Sequence, residues 1–289
     1  MKTRDLILAA MLLSAFGLQD FRIAAQQVAQ PRLADAGAST NAGASTTTGT
    51  TAATTAARPV FVTSAPNGGR TMNGYYVHNN MWNSANYSPC TSTLSAWSHD
   101  RWSVVTKMNN RSGDGAVKTY PNVHKDYASA PISSFAAITS DFAAASPHVG
   151  IYNVAYDIWI NGIARPGCTE IMIWTENFHQ KPSGRHVQDA TFDGQTYQVY
   201  KRPDNNRYIA FVATPVVTAG TVNLLGIMHW IMAQGWISGE STLSQICFGV
   251  EVVSTDDTDA TFQMSAFSID TKSKTGQIHH KHQVGGKQQ

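Results

Sequence analysis

In Thr169-Glu170-Ile171-Met172-Ile173-Trp174 the side chains alternate in character, as they do in a β-strand with one face on a core. Successive residues of a strand face opposite sides of their sheet, so Ile171 and Ile173 are expected inward and Glu170, Met172 and Trp174 outward. Outward from this segment the pattern repeats. Asn153 to Ile160 sets Tyr156, Ile158 and Ile160 against Asn153, Ala155, Asp157 and Trp159. Phe248 to Val253 sets Phe248, Val250 and Val252 against Gly249, Glu251 and Val253, which leaves Glu251 the one charged side chain in an apolar run.

Other short runs rich in Val, Ile, Tyr, Phe and Trp, broken by Gly, Pro, Asn and Asp, predict strands at Gly74 to Val77, Trp102 to Met108, Gln195 to Lys201, Tyr208 to Ala213, Ser244 to Val253 and Ala260 to Ile269. One stretch differs. Val222 to Gly235 places Leu224, Leu225, Met228, Ile231 and Met232 at helical spacings, with Gly235 as terminator. Many strands and one helix predict an all-β sandwich of two antiparallel sheets with a single packed helix.

The ends are read separately. Lys2 and Arg4 precede an uncharged run from Leu6 to Leu18, too short to span a bilayer comfortably, so residues 1–25 are expected to be a secretory signal and the protein to be extracellular or periplasmic. From Ala34 to Ala57, 22 of 24 residues are Ala, Gly, Ser or Thr; such a stretch has nothing to bury, and residues 26–58 are expected to be a linker. Residues 59–270 are the expected folded domain and 271–289 a polar tail carrying His279, His280 and His282.

The formal charge of the chain is +2, but residues 59–270 carry 12 Lys/Arg against 16 Asp/Glu, so the positive balance belongs to the ends and disfavours a nucleic-acid partner. Three cysteines, Cys90, Cys168 and Cys247, leave at least one unpaired within the chain, and no Cys/His spacing suits a structural zinc.

Carboxyl groups beside indoles suit one chemistry well. Cleaving a glycosidic bond takes one carboxyl to protonate the leaving oxygen and a second to attack or to assist water. Glu170 and Glu251 are the candidate pair, and Asp157 is a third acid able to move its neighbour's titration. Trp82, Trp102, Trp159 and Trp174 are candidate flat faces for sugar rings.

Tyr156-Asp157-Ile158-Trp159, Glu170-Ile171-Met172-Ile173-Trp174 and Phe248-Gly249-Val250-Glu251 resemble, in order and spacing, glycoside hydrolase family 12, compact endoglucanases and xyloglucanases. Supporting matches are Asn79-Asn80-Met81-Trp82-Asn83, Val117-Lys118-Thr119-Tyr120-Pro121-Asn122 and Phe211-Val212-Ala213, so the likeness runs along most of residues 74–270. The resemblance implies a β-jelly roll with a long cleft, retention of anomeric configuration, a β-glucan substrate, and neither metal nor organic cofactor. It places Glu170 on the nucleophile, Glu251 on the acid/base and Asp157 on the acid that assists the nucleophile. Asn80 and Trp82 fall on sugar-binding positions of the non-reducing half and Met172 on the methionine beneath the reacting sugar, while alternation alone puts Trp159 and Trp174 beside the acids as substrate-binding candidates.

The chain departs from the pattern at Val252-Val253-Ser254, after the acid/base, and at Glu176 and Asn177, after which a variant loop over the cleft is expected. The upstream partner that Cys90 has in many relatives is missing. A monomer is expected. The competing expectations are a non-catalytic lectin-like sandwich and a xylanase on a related jelly roll.

Overall fold

The computed structural model describes residues 57–274. The expected signal, most of the linker and most of the tail lie outside the described residues. Fifteen strands are present: β1 Phe61–Thr63, β2 Gly69–Met72, β3 Tyr75–His78, β4 Thr91–Ala96, β5 Trp102–Lys107, β6 Asn122–Pro131, β7 Phe135–Ala145, β8 Ile151–Ile160, β9 Thr169–Phe178, β10 Arg185–Phe192, β11 Gln195–Lys201, β12 Tyr208–Thr214, β13 Ala219–Asn223, β14 Thr242–Ser254 and β15 Ala260–Ser273. The helix α1 spans Leu224–Ala233.

The strands form two sheets. One has six strands in the order β1-β4-β5-β15-β7-β13, the other nine in the order β10-β11-β12-β9-β8-β14-β6-β3-β2. Their facing sides bury the expected inward set: Tyr156, Ile158, Ile160, Ile171, Ile173, Phe248, Val250 and Val252 are all 0% exposed. Phe248 stacks on Phe267 of β15 at a centroid distance of 5.8 Å, tying the sheets together. The sandwich matches the expected fold class with one departure, since β9 and β12 run parallel, Tyr208 lying opposite Glu170 and Val212 opposite Trp174.

Six strands cannot cover nine, and α1 fills part of the difference. Its Trp230 meets Phe192 of β10 and Phe211 of β12 edge-on, at 6.1 and 5.7 Å. The Asn223 side chain caps the helix by accepting from the Gly226 N–H at 2.9 Å, and Gly235 ends it at a φ of 69°.

Trp102 was a candidate sugar platform, and the structure overturns that. It lies on β5 of the six-stranded sheet, 1% exposed, its side chain turned into the core.

Candidate active site

The outer face of the nine-stranded sheet carries the acids. Cross-strand register sets Tyr208, Glu170, Trp159 and Gln245 side by side on β12, β9, β8 and β14. Two residues further along each strand come Ala210, Met172, Asp157 and Cys247, and His124 of β6 continues that row. Glu251 pairs in register with Asn153, six residues along β8 from the partner of Glu170. A flat sheet would hold two such positions about 20 Å apart along the strands. The two carboxyls nevertheless lie within electrostatic reach of one another, and both act on Asp157.

Met172, Trp174, Ala155, Ala210 and Val212 form a second, small apolar cluster beneath this face, flanked by Tyr200 and Tyr208. The indole N–H of Trp174 donates to Met172 Sδ at 3.4 Å. Met172 and Trp174 are both 2% exposed, which corrects the expectation of Trp174 as an open platform: it is floor, with no free face for a ring. Trp159 is partly exposed on the same side. Asn80 and Trp82 follow β3, where the Asn80 carbonyl accepts from the Tyr120 N–H at 3.0 Å, next to the segment that leads into β6.

The three carboxyls share one electrostatic problem. Burial and the neighbouring Glu251 carboxylate push Glu170 up to about 8. Burial pushes Glu251 up to about 7, opposed by the Asn153 amide, which donates to Glu251 Oε2 at 2.8 Å. Asp157 is driven well above the usual carboxylate range by burial and by both glutamates, with an opposing hydrogen bond from Trp159. The buried Asp157 Oδ1 has no protein hydrogen-bond partner. Below the acids, the Tyr120 hydroxyl donates to the Ala155 carbonyl at 3.0 Å and fixes the segment before β6 against β8.

Alternation placed Asn153 on this face but gave no sign that it holds Glu251, because that contact depends on the pairing of β8 with β14. Cys247, beside Asp157 in register, and Tyr208, beside Glu170, were likewise visible only once the strands were ordered. All three cysteines are free thiols. Among the described residues no group of three His, Cys, Asp or Glu side chains is placed to hold a metal ion.

Glu176, at a bulge opposite Val154 and Ala155, turns into the protein and accepts from Ser146 Oγ at 2.6 Å and from the Tyr152 hydroxyl at 2.8 Å. The loop after it begins with a turn closed by Asn177, whose amide donates to the Gln180 carbonyl and accepts the Gln180 N–H. Further on, the backbone of Ser183 lies close to the Tyr208 hydroxyl, so this loop reaches the acid-bearing face beside Glu170.

A two-sheet sandwich with three interacting carboxyls on the outer face of its larger sheet is the build of a jelly-roll glycosidase. The chain belongs to glycosyl hydrolase family 12, whose family model matches residues 73–272. It is 26% identical over 216 residues to the xyloglucan-specific endo-beta-1,4-glucanase A of Emericella nidulans, a match covering 69% of this chain and 86% of that one. It is 24% identical over 207 residues to endoglucanase S of Pectobacterium parmentieri, covering 64% and 78%. Among solved structures it resembles the xyloglucanase domain of NopAA, a type three effector from Sinorhizobium fredii, at a TM-score of 0.62 and 26% identity over 74% of this chain and all of that one. The family 12 xyloglucanase of Bacillus licheniformis superposes at a TM-score of 0.64 and 21% identity, covering 73% of this chain and all of that one.

Proposed function

We propose that the chain is a retaining endo-β-1,4-glucanase, with xyloglucan or mixed-linkage glucan among its substrates, that works by double displacement. The observation that carries this reading is the placement of Glu170, Glu251 and Asp157 on one sheet face, where the charges of both glutamates act on Asp157 and that of Glu251 on Glu170. Three carboxyls that cannot all ionise divide protons between them; in the empty cleft Glu170 holds its proton to higher pH than Glu251, so the proposed roles require the positive charge developing on the bound sugar to reverse that order.

In the proposed reaction Glu170 attacks the anomeric carbon while Glu251 gives its proton to the departing sugar oxygen. Glu251 then takes a proton from the water that opens the glycosyl-enzyme. Asp157, held protonated by its surroundings and with its Oδ1 unpaired, favours the ionised form of Glu170 by adding no second negative charge beside it. The Asn153 amide fixes one oxygen of Glu251, so that the other carries and recovers the proton. The likeness to named xyloglucanases supports xyloglucan as a substrate.

The test is reducing-end release from barley β-glucan, carboxymethylcellulose, xyloglucan and xylan by the wild type and by Glu170→Gln and Glu251→Gln. At least one glucan should be cleaved by the wild type, and each substitution should lower the rate by more than about a thousandfold, as expected for loss of a group that acts in the transition state. Activity that survives Glu170→Gln would remove the nucleophile. Proton NMR of the first-formed anomer tests retention.

A further inference from the structure

The acid-bearing face continues past Glu251 onto β6 and β3, where inward Tyr75, Val77 and Val123 leave Tyr76, His78 and His124 on the outer side. These three rings form one group. Tyr76 lies 5.3 Å from His78 and 5.2 Å from His124 between centroids, and the imidazoles meet edge to face at 6.1 Å. Gly69 of β2 makes room for it, since a Cβ there would come within 2.5 Å of the Tyr76 ring.

The hydrogen bonding fixes what His124 presents. The Asn122 amide nitrogen donates to the Tyr120 carbonyl at 2.7 Å, which makes its oxygen the acceptor 2.9 Å from His124 Nδ1. Nδ1 therefore carries the proton, and Nε2 offers a lone pair. Burial keeps His124 below the ordinary imidazole range and brings His78, with its imidazole neighbour adding to the effect, down to about 4. Both rings are thus biased toward the neutral form, in which one nitrogen of each can accept. Among the described residues no hydrogen bond occupies the His78 ring nitrogens, and both imidazoles are partly exposed.

We infer that Tyr76, His78 and His124 form a glucosyl subsite on the β3–β6 side of the carboxyls, in which neutral imidazole nitrogens accept sugar hydroxyls and the tyrosine ring supports the sugar's C–H face. The inference rests on the glucanase reading above and adds which part of the chain sets how long a glucan segment is gripped. A Trp platform holds a ring by area alone; two acceptors on neighbouring strands read its hydroxyls as well.

Calorimetry in the Glu170→Gln background, where cleavage is silenced, separates this from the catalytic reading. The ligands are cello-oligosaccharides of three to six units. Affinity should climb with length, and His78→Phe and His124→Phe, which keep a ring but remove the acceptor, should each cut the gain from the longer chains about tenfold. His78→Gln, which restores an acceptor, should recover most of it. Equal losses at every length, no loss at any length, or no binding by the parent chain would overturn the subsite. A wild type that binds with this length dependence but cleaves no glucan would overturn the catalytic assignment and leave the subsite standing.

Discussion

Asn153 shows how a neutral residue can govern an acid. Its amide donates to Glu251 and stabilises the ionised form, so removing the donor should raise the Glu251 titration. In Asn153→Ala the limb of the pH–rate profile that reports loss of the Glu251 proton should therefore move to higher pH, with kcat falling about ten- to a hundredfold because the carboxyl is no longer held. A profile that only drops in height, without moving, would give Asn153 a packing role. Alternation put Glu170, Glu251 and Asp157 on outward faces, but a glutamate on a strand is more often a solvated surface residue, and their proposed roles came from the family resemblance. The role of Asn153 was not legible, since an asparagine on a strand's outer face is ordinary until the register names its partner. Trp102 and Trp174 misled for a related reason: an indole suits a core as well as a sugar, and alternation assigns a face without saying whether that face is open.

At the scale of elements, Gly249 fixes how closely β14 and β6 approach. A Cβ at that position would stand 2.0 Å from the Pro121 carbonyl oxygen and 2.7 Å from Asn122 Cα. Both atoms belong to backbone and cannot swing aside, so Gly249→Ala should cost about 3 kcal/mol, toward the upper end for overpacking. Urea denaturation would measure it, and an unchanged midpoint would mean that the strands have room to part. Every strand expected from the sequence is present, but β1, β2, β4, β6, β7, β10 and β13 were not foreseen. The reason is visible in their residues. Thr91–Ala96 and Phe135–Ala145 are built largely of Ser, Thr and Ala, whose small side chains make weak alternation. Strand order and the parallel pairing of β9 with β12 depend on contacts between distant parts of the chain, and no local pattern encodes them.

The whole molecule carries a stability cost for its acids. Glu170 and Glu251 titrate near 8 and 7 in the folded chain, well above the values of about 4.3 expected when unfolded. The folded state thus binds more protons than the unfolded one between about pH 4 and 8, and stability falls as pH rises through that window. Replacing both glutamates with glutamine should flatten the dependence and make the variant more resistant to heat than the wild type at pH 8. Melting curves at pH 5, 6.5 and 8 would show it, and parallel slopes for the two proteins would contradict it.

The mismatch between six strands and nine bears on how such a groove can diversify. The side formed by β10, β11 and β12 is backed by α1 through Trp230 and the rings of Phe192 and Phe211. A helix seated on a sheet by side-chain packing admits small adjustments of its position. A substitution such as Trp230→Leu, remote from every acid, should shift the relative rates on branched and unbranched glucans while leaving the Glu170 and Glu251 titrations in place. Substrate range in this lineage can then drift through the helix, a part of the molecule that no sugar touches.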